Sequence, residues 1–355
     1  MSNLLMQRLG LRHPIIQAPM AGSSTPRMAA AASNSGALGS VALGASNASQ
    51  ARELLAQTRA LTDRPFSVNF FAHTPAKQDA EREARWMEHL QPFFAEYGVT
   101  PRPALKEIYQ SFVTDTDMQQ LMLQERPAAV SFHFGLPSRQ IINDFKKAGI
   151  FLMATATSLS EARQIEAAGI DAIVAQGAEA GGHRGVFDSG KDEGIGTFAL
   201  VRLIAHNTRV PVIAAGGIMD GQGIAAAMLL GASAAQLGTA FLLTPESAAS
   251  EGYRAMLKSS RAEHTQITNT ISGRGARGMV NRMMTEVGKP GSPPQPDYPI
   301  AYDAGKQLHA AASAQGSQEF GALWAGQAAP LIRELGTADL IQALAIELQQ
   351  ARRSI

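Results

Sequence analysis

The sequence predicts a (β/α)8 barrel, and three observations lead there. Eight short runs are apolar on both alternations, the pattern of strands covered on both faces. Helix-like stretches with their own start and stop signals separate most of them by short links, as parallel βαβ units require. The chain has 355 residues and is 45% hydrophobic, enough for one barrel with an appendage. A doubly wound open sheet is the alternative use of the same units.

In order, the strand candidates are "PIIQAPM" (14–20), "ALGSVAL" (37–43), "FSVNFF" (66–71), "AAVSFHFG" (128–135), "IFLMATA" (150–156), "DAIVAQG" (171–177), "PVIAAGG" (211–217) and "AAQLGTAF" (234–241). The helices between them carry caps. "TPRMAAAASNSG" opens on Thr25 with a proline in its first turn and stops at Gly36. "SLSEARQIEAAGI" has Ser158 or Ser160 to cap it and Gly169 to end it. "DGQGIAAAMLLGAS" has Asp220 and Gly231 in those places.

Two regions break the alternation. Residues 72–127 are charged and aromatic, and both "AKQDAEREARWMEHLQPFFAEYG" and "PALKEIYQSF" read as helices. The chain after residue 245 also reads as mostly helical, interrupted by "SGRGARGMVNR" (272–282) and the Pro-rich "GKPGSPPQPDYP" (288–299). The barrel is therefore assigned to 1–71 and 128–245. A smaller, discontinuous helical domain over its C-terminal face is assigned to 72–127 and 246–355.

Composition narrows the function. The formal charge is +1, and no basic stripe interleaved with aromatics appears, so nucleic acid is not an expected partner. There are no cysteines, which excludes disulfides, Cys-ligated zinc, iron–sulfur clusters and a thiolate nucleophile. The uncharged stretch 221–245 is long enough for a bilayer. Its glycines, glutamines and a central "GAS" instead read as a buried helix, a turn and a buried strand, so no membrane association is expected. "MSNLLMQRLGLRHP" lacks the apolar core of a signal peptide, and a cytoplasmic location is expected.

In a barrel the active site lies at the C-terminal ends of the strands. Met20 ends the first, Asn69 lies on the third, His133 on the fourth and Gln176 ends the sixth. The seventh ends in Gly216 and Gly217, and the eighth carries Gln236, Gly238 and Thr239. Glycine-rich turns leading to a helix N-terminus let backbone amides approach a phosphate, and phosphate sites after strands seven and eight recur in this fold. Asn69, Gln176 and Gln236 are amides within apolar strands, where each needs a partner, either one another or the edge of a flat heterocycle. Met20 offers a soft apolar surface for a ring.

"EAGGHRG" places His183 among Gly181, Gly182 and Gly185, just past a strand end. Such a histidine suits proton transfer or anion binding, and His133 is a second candidate. No HExxH, carboxylate cluster or nucleophile elbow is present. A phosphate pocket, heterocycle-binding amides and a histidine, without nucleophile or metal, point to a cofactor that carries the chemistry. Flavin mononucleotide (FMN) fits best.

"PIIQAPMAG", "SNSGALGS", "FSVNFF", "SFHFG", "AQGAEAGGHRG", "VPVIAAGGI", "AAQLGTAFL" and "SGRGARGMVNR" together resemble the nitronate monooxygenases, formerly 2-nitropropane dioxygenases, of class I. The resemblance implies FMN contacts at Met20, Asn69, Gln176, Gly181, Gly217, Gln236, Gly238 and Thr239. It implies an active-site role for His183, with His133 near the substrate. The implied reaction is oxidation of alkyl nitronates, typically propionate 3-nitronate, by dioxygen to an aldehyde and nitrite. "AGSST" departs from the "AGG" expected before Thr25-Pro26. NAD(P)H-dependent quinone and enoyl reductases share the fold and the glycine turns, and a non-catalytic flavin-binding barrel is a more distant alternative.

Overall fold

The computed structural model of the chain describes residues 3–354. In chain order the strands are β1 (Ile15–Gln17), β2 (Gly39–Ala42), β3 (Phe66–Phe71), β4 (Ala129–His133), β5 (Phe151–Ala156), β6 (Ala172–Gln176), β7 (Gly182–His183), β8 (Val212–Ala215), β9 (Ala234–Leu237), β10 (Thr265–Thr268) and β11 (Ala276–Met279). Eight of them form one parallel sheet in the order β1-β9-β8-β6-β5-β4-β3-β2. Leu38, just before β2, closes the ring. Its amide donates to Ile15 O at 3.0 Å and its carbonyl accepts from Gln17 at 2.9 Å. The eight expected strands are thus the barrel. The last is shorter than its apolar run, which turns into a single helical turn at Thr239–Phe241.

Local chemistry sets the helices between them. Thr25 Oγ1 accepts from Met28 N and Pro26 fills the first turn of Pro26–Asn34. Ser158, of the two serines, caps Leu159–Ala167, and Asp220 caps Gly221–Leu229. Outward side chains of the strands, such as Val41, Val68, Val130 and Ile173, form one apolar layer with Met28, Ile142, Ile165 and Ile204 of the helices. Beneath the barrel, Leu5 and Leu9 of the helix Leu4–Leu9 pack on Ile16, Leu38, Met153 and Ile213 and plug the N-terminal end. The cavity must therefore open at the other end. Among the described residues no helix is long and apolar enough to cross a membrane.

The regions outside the alternation differ in three ways from their reading as one helical cap. Helices Thr116–Glu125 and Thr337–Arg353 place Met118, Leu121, Leu340 and Leu344 in the apolar layer of the barrel itself. "PALKEIYQSF" is not helical. Its backbone bonds outward instead, Lys106 N to Asp303 Oδ2 at 3.0 Å and Phe112 N to Phe71 O at 2.9 Å. The tail also contributes a small antiparallel sheet, β10-β11-β7, in which His183 pairs with Ala276. The insertion and the tail do share a core. Trp86, Leu90 and Phe94 of helix Ala80–Ala95 pack with Met283, Leu308 and Phe320.

Candidate active site

A cavity of about 550 Å³ lies at the C-terminal end of the barrel, and every site residue expected from sequence lines it: Met20, Asn69, His133, Gln176, Gly181, His183, Gly216, Gly217, Gln236, Gly238 and Thr239. Topology brings them together, since each lies near or beyond the C-terminal end of a barrel strand.

The histidine loop is held from several sides. His183 O accepts from Gln176 Nε2 at 2.9 Å and from His133 Nε2 at 3.1 Å. Gln176 Oε1 accepts from Gly185 N at 2.8 Å. The Gln176 amide, expected at a heterocycle edge, therefore ties the loop to β6 with both of its ends. His133, expected near substrate, also has both ring nitrogens engaged, because Nδ1 lies 3.0 Å from Thr155 Oγ1. Arg184, only 1% exposed, anchors the loop further by a 2.7 Å pair with Asp192 and by donating to Gly177 O at 2.7 Å. The glycines answer mainly to the protein. A Cβ on Gly181 would meet the Ala325–Gly326 backbone at 2.6 Å, and one on Gly185 would meet His133 at 2.9 Å. Gly182 has a φ of +80°, which side chains rarely adopt.

His183 itself is fixed through Nε2, 2.8 Å from Ser272 Oγ. The Ser272 hydroxyl donates to Arg274 O at 3.1 Å, so it accepts from Nε2–H. That network assigns the tautomer and leaves Nδ1 as the acceptor. Burial, then the neighbouring His133 and Arg274, push the His183 pKa down to about 3. Burial is the main cause of the fall to about 4 at His133 and His73 as well. A protonated, anion-holding His183 is the reading that a free histidine pKa suggests; these surroundings favour the neutral imidazole instead. Phe134 is the wedge among these rings. Its φ is +74°, a strained backbone of the kind found at functional sites, and the Arg274 guanidinium lies 4.3 Å over its ring.

The opposite end of the cavity is a cradle of main chain. Gly216 and Gly217 have φ of +124° and +69°. Among the described residues the amides of Gly217 and Thr239 have no acceptor. Gly238 has an ordinary φ of −107°, and a Cβ there would only touch Ala18 and Met20 Sδ at 3.6 Å. Neither backbone nor packing therefore demands glycine at 238. Asn69 donates to Ser131 O and Oγ at 3.2 and 2.9 Å, which leaves its Oδ1 free of protein partners. Gln236 reaches the cavity without a hydrogen bond to the protein.

Sequence reading missed a third group. Tyr109, Tyr298, Tyr302, Lys306 and Trp324 come from the insertion and the tail and complete the wall around His183. Tyr298, Tyr302 and Trp324 ring centroids lie 5.4, 5.9 and 5.2 Å from that of His183. Lys306 Nζ stands 4.9 Å over Tyr109 and 5.3 Å over Tyr302. The one available signal was the spacing of Tyr298, Tyr302 and Lys306, four apart, after the Pro-rich loop.

Comparison with known proteins decides the family. The nitronate monooxygenase family model matches residues 2–347. The chain belongs to the nitronate monooxygenase family. It is 57% identical over 348 residues to a nitronate monooxygenase of Paraburkholderia phytofirmans, covering 98% of this chain and 95% of that one. It is 53% identical over 350 residues to one from Pseudomonas aeruginosa, covering 98% and 100%. A solved structure of nitroalkane oxidase from Streptomyces ansochromogenes superposes with a TM-score of 0.90 at 37% identity over 100% of both chains. The protein is thus an oxidoreductase, in a family of flavoenzymes. In this chain the wall of tyrosines and Lys306 is supplied from outside the barrel strands.

Proposed function

We propose that the protein binds FMN and oxidises alkyl nitronates, propionate 3-nitronate among them, with dioxygen to an aldehyde and nitrite. One observation carries the reading. Among the described residues lining the cavity, Lys306 is the one side chain with a full charge, and no carboxylate faces the space. Such a wall favours anions, and both a phosphate and a nitronate are anions.

The residues fit FMN. The unpaired amides of Gly217 and Thr239, beside the bare Cα of Gly238, suit a phosphate. Met20, the free Oδ1 of Asn69 and the Gln236 amide would border the ring. Bound there, FMN would take electrons from the substrate and deliver them to dioxygen.

The chain's own part is binding and placement. Lys306 and the tyrosine hydroxyls would hold the nitronate oxygens, and Trp324 and Tyr298 screen the site from water. A nitronate arrives without the carbon proton that a neutral nitroalkane must lose. A histidine held neutral with a pKa of about 3 is a poor base. With its Nε2–H given to Ser272, its Nδ1 lone pair has no proton to offer a nitronate oxygen, so the ring shapes the site by packing. The insertion and tail, apart from the helices Thr116–Glu125 and Thr337–Arg353 that complete the barrel layer, then act as a substrate-binding cap on the FMN barrel, and a cytoplasmic location suits the cysteine-free chain. Mass spectrometry of the released cofactor tests the reading. FMN is expected, and FAD, or no flavin after reconstitution, contradicts it.

A further inference from the structure

The helix Ile300–Ser313 runs along the cavity and turns Tyr302, Lys306 and His309 toward it. Spacings of four and three place them on one face, a turn apart. The nitronate reading uses only the first part of this face. His309 lies about 10 Å further along the axis than Tyr302, from seven residues at 1.5 Å each.

There the wall changes character. His309 Nδ1 and Gln318 Oε1 are buried, both residues line the cavity, and neither atom has a hydrogen-bond partner. Buried polar atoms are seldom left so. Two glycines make room for these side chains themselves. A Cβ on Gly321 would come within 3.2 Å of His309 Nδ1, and one on Gly252 within 2.5 Å of the Gln318 amide nitrogen. Burial lowers the His309 pKa and so favours the neutral ring, and Gln318 Oε1 can only accept. Their complement is a group that donates as well as accepts, a hydroxyl or an amide. A carboxylate offers no proton to Gln318 Oε1, and an alkyl end satisfies neither atom.

We propose that His309 and Gln318 form a tail subsite that selects nitronates carrying a hydroxyl or amide at the far end of a medium-length chain. This rests on the nitronate reading of the same cavity. The probes are ethyl nitronate, octyl nitronate and octyl nitronate with a terminal hydroxyl; an extended octyl chain is about 9 Å long. In the wild type, kcat/KM for the hydroxylated chain is expected to exceed that for the plain chain by about tenfold or more. His309→Leu and Gln318→Leu should bring this ratio close to one, and His309→Asn should restore part of it. Each ratio is internal to one protein, so loss of folded material cancels. A wild-type ratio of one or less, or an unchanged ratio in both Leu variants, overturns the subsite. If wild type fails to turn over ethyl nitronate, the nitronate reading itself fails. Anaerobic titration of tryptophan fluorescence with the two octyl compounds then decides the subsite alone: tighter binding of the hydroxylated one supports it, and equal binding overturns it.

Discussion

Ser272 Oγ lies 2.8 Å from His183 Nε2, so a serine outside the barrel strands orients the histidine at the barrel mouth. Ser272 is fully buried, and its removal frees the ring to turn. Ser272→Ala should lower kcat/KM for nitronate by about tenfold to a hundredfold, the scale of a small misplacement at a reacting centre. Thermal unfolding should shift little. Unchanged kinetics would mean that the packed aromatic rings alone hold the imidazole.

The pH profile follows from the same surroundings. With a pKa of about 3, His183 does not change charge between about pH 5 and 8. Wild-type kcat/KM for a nitronate should therefore show no falling limb near the ordinary histidine pKa of about 6.5. Steady-state rates across that range check it. A clear fall through that pH would return the protonated histidine to the mechanism.

Gly238 separates a cofactor's demand from a turn's. A side chain fits the protein there, with contacts no closer than 3.6 Å for its Cβ, but it would enter the space assigned to phosphate. Gly238→Val should keep the circular dichroism of the wild type and lose flavin. Full flavin occupancy in the variant would show that the phosphate lies elsewhere.

These three cases show what the sequence could and could not carry. Strand ends and glycine turns are local signals, and the barrel gathers them without further information, so the eleven expected residues meet at one cavity. Partnership is not local. Nothing near Gln176 announces that its amide closes on Gly185, or that His133 bonds the His183 carbonyl, because loop path decides both. Ser272, Tyr298 and Lys306 arrive from a tail about a hundred residues beyond the histidine, and only the fold sets them against it. The helical reading of 103–112 failed for a related reason: its backbone finds partners in Asp303 and Phe71 that periodicity does not record.

Acid stability should report the buried rings. His73 is fully buried, neither ring nitrogen has a partner, and its pKa falls to about 4 mainly through burial. Its folded pKa lies below the unfolded value of about 6.5. Folded His73 thus resists a proton that the unfolded chain accepts, and stability drops as pH falls from the unfolded pKa toward the folded one. His73→Leu should make that decline shallower by about 1.36 kcal/mol per pH unit, the contribution of one proton. Denaturant melts at several pH values measure the slope. An unchanged slope would show His73 protonated within the fold.

The most direct measurement of the central claim is the flavin absorbance of the purified protein under anaerobic conditions, after addition of propionate 3-nitronate and, separately, NADH. The nitronate should bleach the spectrum, oxygen should restore it with release of nitrite, and NADH should leave it unchanged. Bleaching by NADH with no response to nitronate would contradict the account and place the chain's activity among the reductases.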